Sequence, residues 1–333
     1  MRAVVLVGGF GTRLRPLTLT RPKQMLPVVD RPMLEHVLGH LAGHGIDDVV
    51  LSMGYRPDAF SDAYPDGTCA GVAVHYAVEP EPLDTAGAIR FAARDAGLDE
   101  RFVVVNGDVL TDLDVSALVA FHEEKGAEGT IALHKVEDPS AFGVVPTDGD
   151  GRVEAFVEKP PRDEAPTDLI NAGTYVLEPS VLDRIEPGRR VSIEREVFPA
   201  MVADGTLYAT SGDTYWIDTG TPALYLRAQL DLLDGLRGEP HEGVAPDAEV
   251  HPSADVSRSV VGPGAVVGDG AVVCESAVLA GARIEPGARV ERSVVAFDAV
   301  VGEAAELDGA VVGDGEVIAP GERLHDVRRP APE

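Results

Sequence analysis

A chain of 333 residues is long enough for two domains, and its apolar residues form no run near the roughly 18 to 20 that a membrane-spanning helix needs. Its net charge of −28 excludes nucleic acid and anionic membranes as partners of the general surface, so an anionic ligand requires a locally basic pocket. Cys69 and Cys274 match no metal or redox spacing, and neither is assigned a role.

The first apolar run, Val4-Val5-Leu6-Val7, is cut short by Gly8, Gly9 and Gly11 with no small-residue cleavage site after it. This predicts a buried first strand and a cytoplasmic location. Amphipathic Met33 to Gly43 then alternates with apolar runs such as Val49-Val50-Leu51 and Phe102-Val103-Val104-Val105. The alternation predicts an α/β domain over residues 1–236 with a mixed, mostly parallel sheet, closed by an amphipathic stretch from Pro222 to Leu236. Glycine, proline and charge take over in a linker at 237–248.

From 249 to 325 the texture is that of an internal repeat. Val260, Val266, Val272, Val278, Ile284 and Val290 recur every six residues, with Gly and Ala between them. That is the hexapeptide pattern of a parallel β-helix, in which an aliphatic residue points inward on every face and three hexads make one triangular coil. The spacing loosens after Val290, and residues 326–333 read as a frayed tail.

The chemistry concentrates in short motifs. Gly8-Gly9-Phe10-Gly11-Thr12-Arg13-Leu14-Arg15-Pro16 follows the first strand, so backbone N–H groups there approach phosphate oxygens while Arg13 neutralises charge. Alone, such a loop is equally a tight strand-to-helix turn. Lys23 stands in Pro22-Lys23-Gln24-Met25-Leu26-Pro27-Val28, and it is one of only four lysines among 28 basic residues. Lys159, in Val157-Glu158-Lys159-Pro160, is another; a compact ammonium retained where arginine dominates suits a crowded phosphate. Asp108 follows an apolar strand, at the end where open α/β sheets gather ligands, and Asp218 lies in Trp216-Ile217-Asp218-Thr219-Gly220. Two carboxylates from separate segments suit Mg²⁺.

In this order, and with Glu81 to Ala88, Asn106-Gly107-Asp108, Phe142-Gly143-Val144-Val145 and Asn171-Ala172-Gly173-Thr174-Tyr175, these segments resemble the sugar-1-phosphate nucleotidyltransferases. The resemblance covers essentially the whole chain. It implies a Rossmann-like nucleotidyltransferase domain followed by a left-handed parallel β-helix, and transfer from a nucleoside triphosphate to a sugar 1-phosphate with release of pyrophosphate. Leu6, Gly8, Gly9, Gly11, Thr12, Arg13, Lys23, Gly87 and Asn106 are then expected at the nucleotide, with Glu79 or Glu81 at the base edge. Gly143, Glu158, Lys159 and Asn171 are expected at the sugar phosphate, Asp108 and Asp218 at Mg²⁺, and Arg13, Lys23, Asp108 and Lys159 in catalysis.

Glu81 to Gly87, Val136 to Ser140 and Ser192 to Pro199 resemble the branch that joins GTP to mannose 1-phosphate. Gln24 and Val29-Asp30-Arg31-Pro32 resemble the glucose-1-phosphate thymidylyltransferases instead, and Asp84 stands where the first branch usually has Gly. GTP with mannose 1-phosphate is the expected pair, a thymidylyl- or uridylyltransferase the alternative, and assembly through the β-helix is expected to make a homo-oligomer. Outside this class stand a silent nucleotide-sugar-binding regulator and an acyltransferase. The four retained residues Lys23, Asp108, Lys159 and Asp218 oppose the first; the second is opposed by the histidines, since His251 and His325 flank the coil at its two ends and none stands between them.

Overall fold

A computed structural model of the protein describes residues 1–54 and 56–331. Two compact units emerge, Met1–Gly9 with Leu34–Trp216, and Phe10–Met33 with the chain from Ile217 onward.

The first unit is built on one sheet, ten-stranded among the described residues. At its centre the strands Val72–Val78, Asp48–Met53, Arg2–Leu6 and Phe102–Asn106 run parallel in that spatial order. The last three are buried over most of their length, as their near-continuous apolar runs require when both faces are covered, whereas Val72–Val78, nearer the edge, alternates buried and exposed positions. Leu169–Leu177 then pairs antiparallel with Phe102–Asn106, leading to Gly143–Val144 and Val157–Glu158 on one branch and Gly129–Lys135 and Leu207–Ser211 on the other. The helix Asp84–Asp95 lays Ala86, Ile89, Ala92 and Ala93 against Val4, Val50 and Val104 of the sheet. Val115–Lys125 starts where the Asp114 carboxylate accepts the Ala117 N–H at 2.8 Å and stops at Gly126, φ 56°. This is the mixed, mostly parallel sheet expected.

In the second unit the β-helix consists, among the described residues, of three parallel sheets of five strands each. Successive strands of one sheet, such as Val266–Val267, Arg283–Ile284, Val300–Val301 and Val317–Ile318, stand 17 residues apart rather than three full hexads. One side of each triangle is therefore a residue shorter. The expected inward series is accordingly corrected in its first half. Val261, Val267 and Val273 fill the core in place of Val260, Val266 and Val272, whereas Val278, Ile284 and Val290 are inward as expected. The shift was invisible because each of the first three positions is followed by a second valine.

The corners explain the missing residue. Arg258, Glu275, Arg292, Gly309 and Asp326, again 17 apart, all take positive φ and turn the chain tightly. The residue after each of the first three is a buried serine. Ser259 Oγ accepts the Ser276 N–H at 3.0 Å, Ser276 Oγ the Ser293 N–H at 3.0 Å, and Ser293 Oγ the Ala310 N–H at 2.9 Å. Replacing Ser276 by Ala strips the Ser293 N–H of its acceptor inside the coil, so we expect a loss of about 1–3 kcal/mol of stability in denaturant unfolding. An unchanged midpoint would show that the ladder contributes nothing.

The segment expected to fray forms a last strand, Arg328–Arg329, on Val311–Val312, while Pro332 and Glu333 lie outside the described residues. No helix among the described residues is long and apolar enough to cross a membrane.

Candidate active site

In the first unit, the sheet order decides where a ligand sits. The chain runs outward from Arg2–Leu6 to Asp48–Met53 and Val72–Val78, then returns to the other side of Arg2–Leu6 as Phe102–Asn106. Arg2–Leu6 and Phe102–Asn106 are adjacent and parallel, but the chain continues from them toward opposite sides of the sheet, so the crevice beyond their C-terminal ends is the topological switch point, the place where open α/β sheets bind ligands. Leu6 and Asn106 are register partners at that end. Gly8 and Gly9 follow the first, and Asp108, half-buried, follows the second.

Glu79 and Glu81 are told apart by burial. Glu81 is exposed, whereas Glu79 Oε2 accepts the Leu83 N–H at 2.9 Å and Oε1 lies 3.3 Å from Ser52 Oγ. Burial is the largest influence on the Glu79 carboxyl and pushes its pKa up. A Cβ on Gly8 would stand 3.2 Å from Glu79 Oε1, so Glu79 faces the glycine-rich loop.

Asp84 sits at φ 62°, a left-handed conformation that Gly takes freely and Asp tolerates through its side chain, here accepting the Thr85 N–H at 2.8 Å. That accounts for an Asp where glycine is usual. Gly87 has a packing reason of its own: a Cβ would meet Leu83 Cβ at 2.8 Å and the Arg189 carbonyl at 3.0 Å, and its N–H donates to Val191 O at 3.2 Å. Thr85 Oγ1 donates to Glu194 Oε2 and accepts the Ile193 N–H, and Ser192 Oγ reaches the same carboxylate oxygen. The segment from Ser192 therefore fixes the start of the helix that carries Gly87. In sequence this segment carries only a branch resemblance, with no sign of its tie to Thr85.

The expected sugar-phosphate residues gather on two strands and a bulge. Gly143 pairs with Glu158 in an antiparallel ladder, and a Cβ on Gly143 would overlap the Phe156 ring at 2.6 Å. Lys159 follows at φ 50°, its N–H donating to Phe142 O at 3.0 Å and its Nζ lying 3.4 Å from Glu158 Oε1. A lysine held left-handed costs about 1–2 kcal/mol relative to ordinary backbone, the kind of strain that clusters at working sites. Asn171 opens the bulge between Asn171 and Tyr175; its Oδ1 accepts the Gly173 N–H at 2.9 Å and its Nδ2 donates to the buried Tyr175 hydroxyl at 2.8 Å. Trp216, not among the expected site residues, donates its indole N–H to Ala172 O at 2.9 Å and stacks on His134. It braces that bulge.

The second unit carries Gly11, Thr12, Arg13, Lys23 and Asp218. Gly11 adopts φ 61° and leads into the short turn Thr12–Leu14, with Thr18 Oγ1 donating to Gly11 O at 2.7 Å. Arg13 projects outward, 67% exposed, with Nη2 3.9 Å from Asp218 Oδ2. Asp218 Oδ1 accepts the Gly220 N–H at 2.8 Å, which orients the carboxylate. Lys23 opens the turn Lys23–Met25. The hairpin after it is tied to the helix Pro222–Leu233, where Gln229 bonds Pro27 O through Nε2 (2.8 Å) and takes the Val29 N–H on Oε1 (2.6 Å).

A glycine-rich loop after the first strand, a carboxylate at a switch point and a β-helix together point to a nucleotidyltransferase architecture. The chain belongs to the nucleotidyl transferase family: residues 2–235 match that family, and residues 239–325 match the GMPPB C-terminal domain. It is 48% identical over 240 residues to the mannose-1-phosphate guanylyltransferase of Mycobacterium tuberculosis, covering 72% of this chain and 66% of that protein. The mannose-1-phosphate guanyltransferase of Schizosaccharomyces pombe is 45% identical over 250 residues, covering 74% and 68%. The match thus spans about two thirds of these relatives' length. A crystal structure of HddC from Yersinia pseudotuberculosis complexed with GMP-PN superposes with a TM-score of 0.60 at 29% identity, over 68% of this chain and 97% of that one.

Proposed function

We propose that the protein is a mannose-1-phosphate guanylyltransferase, forming GDP-mannose and pyrophosphate from GTP and mannose 1-phosphate. The observation that carries the reaction class is the register pair Leu6 and Asn106 at the switch point, with the glycine-rich loop leaving one strand and Asp108 the other. The choice of GTP and mannose 1-phosphate rests on the relatives' names and on the Thr85 to Glu194 anchor, which lies in a segment of that branch's type.

The sugar phosphate's oxygen attacks the α-phosphorus, the bond from that phosphorus to the β-phosphate bridging oxygen breaks, and pyrophosphate leaves. Because the nucleophile is already anionic, the protein's work is to align two repelling anions and neutralise the charge that builds between them. In this proposal the loop N–H groups from Gly8 to Thr12, with Arg13 and Lys23, hold the triphosphate; Leu6, Gly87, Asn106 and Glu79 bound the nucleoside. Lys159 holds the sugar phosphate, with Gly143, Glu158 and Asn171 around the sugar. The strain at Lys159 fits a side chain aimed by its surroundings rather than by its own backbone preference.

Members of the family typically use a divalent metal, and we assign Mg²⁺. The donors suit it: Asp108 and Asp218 offer hard carboxylate oxygens, and Mg²⁺ takes one or two carboxylates together with substrate phosphates and water. When bound, Mg²⁺ would neutralise phosphate charge. The same proposal takes residues 1–236 as the catalytic domain and 249–325 as the β-helix, and places the protein in the cytoplasm as a homo-oligomer through the β-helix.

The test is a matrix of GTP, dTTP, UTP, ATP and CTP against mannose, glucose and related sugar 1-phosphates, read as pyrophosphate release. GTP with mannose 1-phosphate should give the highest kcat/KM; a preference for dTTP or UTP with glucose 1-phosphate would move the protein to another branch.

A further inference from the structure

We propose that the last coil of the β-helix positions the triphosphate loop, with Arg328 as the positioning residue. The loop's own turns use the carbonyls of Gly11, Thr12 and Leu14 as acceptors for Leu14, Arg15 and Leu17. The intervening carbonyls, those of Arg13 and Arg15, converge on Arg328 Nη1, which donates to both at 2.9 Å. A guanidinium suits this because its charge and fixed fork hold two acceptors at once.

Arg328 is itself well anchored. It lies in the final strand, paired with Val311, and the Arg329 carbonyl accepts the Gly313 N–H. Two further ties join the same coil to the segment that follows the loop. Asp314 accepts hydrogen bonds from Thr20 Oγ1 and from Arg21 Nη2, the latter at 3.1 Å, and the Arg21 guanidinium lies 3.5 Å above the Phe297 ring. Pro16 packs so closely on the coil that a Cβ on Gly313 would stand 3.0 Å from its ring.

The β-helix is thus joined to the segment from Arg13 to Arg21 at both ends, across about 300 residues of sequence. Arg328 touches no substrate in this reading. It sets the backbone from which the Arg13 side chain and the neighbouring N–H groups point, so the triphosphate meets donors already in place.

The inference rests on the nucleotidyltransferase reading, and its test separates the two. In the full-length protein, Arg328→Ala should raise the KM for the triphosphate about tenfold, while the KM for the sugar phosphate stays within about twofold and kcat falls less than the KM rises. Arg328→Lys, which keeps one donor near the carbonyls, should recover part of the loss. Equal KM values in Arg328→Ala and wild type, or a parallel rise in both KM values, would overturn the positioning role. Amide hydrogen exchange reads the same role without substrate: residues 11–21 should exchange about tenfold faster in Arg328→Ala while Val294–Val295 is unchanged. Wild-type protein inactive with every triphosphate would remove the function, and exchange alone would then decide Arg328. Unchanged exchange in the loop would refute it.

Discussion

Asp108→Asn should reduce Mg²⁺-dependent pyrophosphate release by about a thousandfold or more at saturating substrates, with the fold intact. Asp108 lies just past the strand Phe102–Asn106, half-buried, where the change to an amide of equal size disturbs little packing. The amide keeps one oxygen but loses the charge, so metal affinity falls most. Raising the Mg²⁺ concentration should therefore recover part of the activity, which a residue with a purely structural role would not show. Activity within about threefold of wild type at ordinary Mg²⁺ would remove Asp108 from the metal site.

Lys159→Gly should separate activity from stability. Glycine takes φ 50° without the strain a lysine bears there, so thermal stability should hold or rise by up to about 1 kcal/mol. Loss of the ammonium should nonetheless lower kcat/KM for the sugar phosphate by about a hundredfold or more, because one of two facing anions loses its counter-charge. Lys159→Ala should lose activity similarly while keeping the backbone strain. If Lys159→Gly lowers stability and leaves the sugar-phosphate KM unchanged, the lysine serves the fold at Glu158 rather than the substrate.

The elements of the first unit are legible in the sequence where strands such as Asp48–Met53 and Phe102–Asn106 are buried on both faces and stand out as apolar runs. The sequence also puts Asp108 at a strand end, since Phe102 to Val105 is unmistakable. It does not show that Arg2–Leu6 and Phe102–Asn106 are neighbours, because adjacency in a doubly wound sheet is a matter of topology across about 100 residues. The β-helix shows the opposite failure. Its period was legible, yet paired valines at 260–261, 266–267 and 272–273 concealed which of each pair turns inward and hid a coil of 17 residues.

At the candidate site, lysine scarcity singled out Lys23 and Lys159, but no sequence pattern marks Lys159 as left-handed. That conformation follows from its N–H being held by Phe142 across the ladder. The resemblance gives the glycines a role at ligands. For Gly87 and Gly143, packing against Leu83 and Phe156 is a sufficient reason for glycine whatever they also contact. Trp216, Thr85, Glu194 and Arg328 act through partners far away in the chain, so the residues beside them in sequence gave no sign of it.

The most direct test of the account is to incubate the wild-type protein with GTP, mannose 1-phosphate and Mg²⁺ and to identify the products by mass. GDP-mannose and pyrophosphate should form in equal amounts, and neither should form when Mg²⁺ is removed by chelation. GDP-mannose absent while dTTP or UTP with glucose 1-phosphate yields a nucleotide sugar, or no nucleotide sugar with any pair, would contradict it.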